Sequence, residues 1–69
     1  MVIMDIWIAK DSDGRMFIHF SEPSIVNTSG NHWQSFPYTS MINIDGTPLG
    51  EKFKDLEPMQ KPLKLKIKI

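Results

Sequence analysis

The chain has 69 residues, and its eight Lys and Arg balance eight Asp and Glu to a formal net charge of zero. That length makes one small domain, spanning 1–69, which buries only about 60% of its unfolded surface. The balanced charge predicts no strong attraction to nucleic acid or to an anionic membrane. With no cysteine there is neither a disulfide framework nor a thiolate metal site, so the expected stability is about 3–5 kcal/mol, with self-association at a β edge as the remaining source of burial.

Met1-Val-Ile-Met4 is apolar, but Asp5 interrupts it and no basic segment precedes it, so it does not read as a secretion signal. Met4 is an alternative start, since the patterned region begins just after it. No stretch approaches the ~18 apolar residues of a membrane span. The expected location is cytoplasmic, and Asn27-Thr28-Ser29 is then a turn and not a glycosylation acceptor.

The stretch from Ile6 to Phe20 predicts a β-hairpin on which the rest of the chain is organised. Asp11-Ser12-Asp13-Gly14 has the composition of a type I turn followed by a left-handed residue, giving a G1 bulge. That geometry sets Lys10 opposite Met16, Ala9 opposite Phe17, Ile8 opposite Ile18, Trp7 opposite His19 and Ile6 opposite Phe20. Ile6, Ile8, Met16, Ile18 and Phe20 then share one face, with Lys10 its only polar position. A two-residue Asp-Gly turn would shift the pairing and mix the faces, so the apolar pattern selects the first register. The opposite face carries Trp7, Ala9, Phe17 and His19, where a sheet solvated on one side would show polar residues. Either later chain covers it or it meets a partner.

Pro23 ends the second strand, because proline cannot donate to a ladder. Asn27-Thr28-Ser29-Gly30 then repeats the polar start and glycine finish of the first turn, predicting a short hairpin with Ile25 opposite Trp33 and Val26 opposite His32. Phe36-Pro37-Tyr38 reads as a bend or edge, and Tyr38, Ser40, Ile42 and Ile44 alternate into a strand at about 40–44. Thr47-Pro48 is a helix start, Thr as N-cap and Pro at the first helical position. Leu49, Phe53 and Leu56 form one stripe of a helix near 48–56 that is expected to cover the Trp7/Phe17 face; Gly50 weakens it by about 1 kcal/mol and Pro58 stops it. Leu63, Leu65, Ile67 and Ile69 alternate with Lys64, Lys66 and Lys68 as a half-buried strand, expected to return beside the first. Its lysines suit an edge strand that must not pair with copies of itself.

The fold class that follows is mainly β: a small antiparallel sheet or partly open barrel of about five strands with one short helix, α+β being the alternative. The opening Ile-Trp-Ile-Ala-Lys-Asp-Ser-Asp-Gly, the Glu22-Pro23 strand end, Trp33 and the closing Lys-Pro-Leu-Lys-Leu-Lys-Ile-Lys-Ile resemble a group of small uncharacterised proteins of gut bacteria and their phages or mobile elements. Those proteins open with an I-x-I-A-R-D-x-D-G hairpin and close with a short alternating strand. Where they often show Phe-Pro and a Trp before the last strand, this chain has Phe53-Lys-Asp-Leu56-Glu-Pro58. The resemblance implies a fold and no site.

Chemistry-bearing patterns are sparse. His19 and His32 fall in different hairpins with no zinc-like spacing, and Asp11-Ser12-Asp13-Gly14 lacks the further ligands of a calcium loop. The glycines sit singly in separate turns, so no phosphate loop is formed, and no nucleophile–base set is specified. The expectation is a non-enzyme without cofactor or metal. One reading is a protein-interaction or regulatory module, binding a protein partner or itself through Trp7, Phe17, His19, Trp33 and Tyr38, since Trp and Tyr are favoured anchors. The alternative is an OB-like or SH3-like single-stranded nucleic-acid-binding domain, in which aromatics stack on bases and Lys64, Lys66 and Lys68 follow phosphates. Against it stand the neutral charge and the expectation that lysines and aromatics lie on different faces.

Overall fold

The computed structural model describes residues 2–27, 30–36 and 41–68. Six strands, β1 (Ile3–Lys10), β2 (Met16–His19), β3 (Ser24–Val26), β4 (His32–Gln34), β5 (Met41–Asn43) and β6 (Leu63–Lys68), accompany one helix, α1 (Pro48–Lys52). Four of them form an antiparallel sheet in the order β5-β2-β1-β6, and β3 and β4 form a separate hairpin. The chain is therefore mainly β, as expected. Among the described residues the four-stranded sheet is open and does not close into a barrel.

The opening hairpin has the register that its turn chemistry dictates. Trp7 pairs with His19, Ile8 with Ile18, Ala9 with Phe17 and Lys10 with Met16. The Gly14 N–H donates to the Asp11 carbonyl at 3.0 Å, the Asp11 N–H donates to the Arg15 carbonyl at 2.8 Å, and Gly14 takes φ +92°. This is a type I turn closed by a left-handed glycine, a conformation costly for a residue with a Cβ. β2 ends at His19, so the expected Ile6–Phe20 pair is not made, and Phe20 lies exposed just beyond the strand. The second hairpin also keeps its expected register, Ile25 with Trp33 and Val26 with His32.

β6 returns antiparallel to β1, pairing Ile6 with Leu65, Ile8 with Leu63 and Trp7 with Lys64. Directly opposite residues share a face, so Leu63, Leu65 and Ile67 extend the Ile6/Ile8 face, and Lys64, Lys66 and Lys68 stand beside Trp7. The expectation that lysines and aromatics lie on different faces is thus overturned: Lys64 Nζ lies 5.7 Å from the centre of the Trp7 ring. β5 pairs with β2 on the other side, and the Ile44 N–H continues that ladder to the Met16 carbonyl at 3.0 Å. Tyr38 and Ser40, the start of the expected strand, lie outside the described residues.

Each face of the sheet carries its own cover. Ile8, Met16 and Ile44 form a buried cluster, with Ile18, Leu49, Phe53, Leu56 and Leu65 packed against it. The stripe Leu49/Phe53/Leu56 therefore covers the aliphatic face, not the Trp7/Phe17 face as expected. The exit from β5 explains this. Ile44 points to the aliphatic face, and Asp45, in the turn that follows, accepts the Met16 N–H on Oδ1 at 3.1 Å, so the chain turns over that side. Lys10, the polar position there, donates from Nζ to the Lys54 carbonyl at 2.7 Å, and its own carbonyl accepts the Met59 N–H at 2.9 Å.

α1 begins as expected, with Thr47 Oγ1 accepting the Gly50 N–H at 3.1 Å and Pro48 in the first turn. It is shorter than the stripe suggested, because its regular span ends at Lys52 and the chain continues through turn hydrogen bonds such as Leu56 N–H to the Phe53 carbonyl at 3.1 Å. No described helix is long and apolar enough to cross a membrane.

Candidate functional site

The second face is covered by the β3–β4 hairpin, and this packing creates the site. Polar links from the opening hairpin and its exit fasten it down. Asp11 Oδ1 accepts the Trp33 N–H at 2.9 Å, Ser12 Oγ donates to the Asn31 carbonyl at 2.6 Å, and Ser21 Oγ donates to the Phe36 carbonyl at 2.8 Å. Beneath it Ala9 is 1% exposed and His19 0%, and Trp33 on the hairpin itself is 8% exposed. His19 Nδ1 lies 3.0 Å from Ser35 Oγ, while Nε2 has no partner among the described residues. The direction of the hydrogen bond between Nδ1 and Ser35 Oγ follows the ring tautomer. Charging the ring would bury a second N–H without an acceptor, so burial pushes the His19 pKa down to about 4.

Asp11 is buried as well, and its pKa is raised by that burial. The Trp33 N–H and, more weakly, His32 and Arg15 pull the other way, while Asp13 adds to the rise. Burial outweighs the hydrogen bond, so the charged carboxylate holds the hairpin at a cost in solvation.

A cleft of about 390 Å³ is lined by Trp7, Pro23, Trp33, Pro62 and the charged Glu22, Lys61 and Lys64. Trp7 reaches it because its register with His19 turns it to this face. Trp33 reaches it because Asp11 and the pairing with Ile25 fix β4. Lys64 is held over Trp7 by its register and by Asp5 Oδ2 at 3.7 Å. That ion pair is half-exposed and contributes little to stability, whereas the ammonium over the indole adds about 0.5–1 kcal/mol. Its lining combines two indoles, two prolines and charges of both signs. It suits an apolar side chain flanked by polar backbone.

The expected site residues divide. Trp7, Trp33 and Lys64 come together in the cleft. His19 lies fully buried beneath the hairpin, where its contact is Ser35. Phe17, its ring centre 6.4 Å from that of His19, lines a separate cavity of about 230 Å³ with Asp11, Asp13, Arg15 and His32. Lys66 and Lys68 continue the row from Lys64 away from the cleft, and Tyr38 lies outside the described residues. Pro23, Pro62, Glu22 and Lys61 were missed. Their signal was two charge–proline steps, Glu22-Pro23 and Lys61-Pro62, each just ahead of a strand. Among the described residues no three His, Asp or Glu side chains are grouped to hold a metal.

Comparison of the chain with protein-family models, with curated proteins and with solved structures finds no match.

Proposed function

We propose that this protein is a small non-catalytic interaction module that docks a segment of another protein in the cleft between Trp7 and Trp33. The observation that carries the reading is the cleft itself: two indoles and two prolines line one opening together with Glu22, Lys61 and Lys64. Large rigid aromatics bury much area at little entropic cost, which is why they serve as anchors. The likeness of the chain's two ends to proteins of gut bacteria and their phages or mobile elements adds the expectation of an element-encoded regulator. The test is selection of displayed random peptides on the intact chain. Selected peptides are expected to shift the Trp7 indole resonance and to lose about tenfold or more in affinity to Trp7→Ser, with far-UV circular dichroism unchanged. Peptides that perturb only residues away from the cleft would remove the reading.

A second reading, single-stranded nucleic-acid binding, is favoured by one observation: Lys64, Lys66 and Lys68 share a face with Trp7. Asp5 and Glu22 on the same side, and the zero net charge, weigh against a polyanion. Titration with oligothymidylate at low and moderate salt separates the two, because phosphate contacts weaken steeply as salt rises.

A further inference from the structure

β6 is the outer strand of the four-stranded sheet: it pairs with β1 on one side and, among the described residues, with no strand on the other. Every second residue of such a strand turns both its N–H and its C=O outward, which leaves a template for another strand. The side chains beside that template are sorted by face. Lys64, Lys66 and Lys68 stand on the side of the cleft, and Leu63, Leu65 and Ile67 on the aliphatic side, where Ile67 is 37% exposed. Lys64 is engaged by Asp5 and Trp7, whereas Lys66 and Lys68 are exposed and have no ion pair among the described residues.

This arrangement discriminates between occupants. Two copies of the chain joined through β6 about a two-fold axis would set lysine opposite lysine along one face, and like charges directly opposite destabilise a ladder. A strand with acidic residues at alternate positions meets the reverse condition. Its carboxylates fall beside Lys66 and Lys68, and its intervening apolar residues fall beside Leu65 and Ile67.

We propose that the free edge of β6 takes up an extended acidic–apolar alternating peptide segment of a partner protein as a further strand of the sheet. Main-chain hydrogen bonds supply the attachment and the lysine row selects for acid. The strand follows directly on Lys61 and Pro62, which line the cleft with its own Lys64, so the inference rests on the interaction-module reading and adds how such a partner lies.

The experiment is a nuclear magnetic resonance titration of the intact chain with a capped Val-Glu repeat peptide and a Val-Lys repeat. Two forms of the Val-Glu peptide, N-methylated at alternate residues in either phase, and oligothymidylate complete the set. The Val-Glu peptide is expected to shift and protect β6 amides with affinity at least about tenfold above that of Val-Lys. One N-methylated form is expected to lose binding and the other to keep it, because only one set of N–H groups faces β6. The double variant Lys66→Glu/Lys68→Glu is expected to reverse the preference between peptides. Equal binding of both repeats, no binding of either at millimolar concentration, unimpaired binding of both methylated forms, or tighter binding of oligothymidylate at the same lysines would each overturn the proposal. The two readings fail separately: edge pairing is read at β6 amides and cleft filling at the Trp7 indole.

Discussion

Asp11 joins the two hairpins. Its backbone closes the first turn, through the Gly14 N–H at 3.0 Å and the Arg15 carbonyl at 2.8 Å, and its carboxylate holds the Trp33 N–H at 2.9 Å. Asp11→Ala would leave that buried N–H unpaired, and the expected loss is about 1–3 kcal/mol, read from the urea midpoint. Asp11→Asn keeps an acceptor and removes a poorly solvated charge, so its loss should be smaller. His19 makes a second prediction. Its folded pKa of about 4 lies below the ordinary imidazole value of 6.5, so between those values the unfolded chain takes a proton that the folded chain refuses. Stability from this group is full above pH 6.5 and falls as pH drops toward 4, by roughly 3 kcal/mol in all. Asp11, with its pKa raised, works the opposite way and returns some stability as pH falls through the carboxylate range. Urea melts from neutral to acid pH should show the His19 slope in the parent chain and not in His19→Gln. An unchanged slope in the variant would place the titration elsewhere.

Among the elements, α1 shows where propensity and packing disagree. Gly50 costs a helix about 1 kcal/mol relative to alanine, so propensity alone predicts that Gly50→Ala stabilises. A Cβ at this position would run into the Ile44 carbonyl, a main-chain group already held by the Thr47 N–H at 3.1 Å and the Thr47 hydroxyl at 2.6 Å. The expected outcome is therefore a loss of about 1–3 kcal/mol, seen as a lowered melting temperature, because the helix must move off the sheet. The glycine that reads as a weak helix former is what lets α1 approach β5. Thr47→Ala, which removes the acceptor of the Gly50 N–H, is expected to cost about 1 kcal/mol in the same assay.

For the whole molecule, an open four-stranded sheet with a cover on each face leaves two outer strands to be protected. On β6 the protection is the lysine row. Replacing Lys66 and Lys68 together by valine removes like-charge repulsion and leaves an alternating strand apolar on both sides. Sedimentation velocity should then show association that rises with concentration beyond that of the parent chain. Both hairpin registers, the cap of α1 and the alternation of β6 were legible in the sequence, because turn chemistry and a period of two act over a few neighbouring residues. Trp7, Ala9, Phe17 and His19 could be assigned to one face on that basis alone. What covers that face could not be read, since the Leu49/Phe53/Leu56 stripe and the Ile25/Trp33 hairpin are each apolar enough to pack on either side. Tertiary structure decided it through Asp45 on the Met16 N–H and Asp11 on the Trp33 N–H, contacts between residues far apart in the chain. The juxtaposition of Lys64 with Trp7 has the same origin. The pairing of β1 with β6 joins opposite ends of the chain, and a shift of one residue would have sent every lysine to the other side.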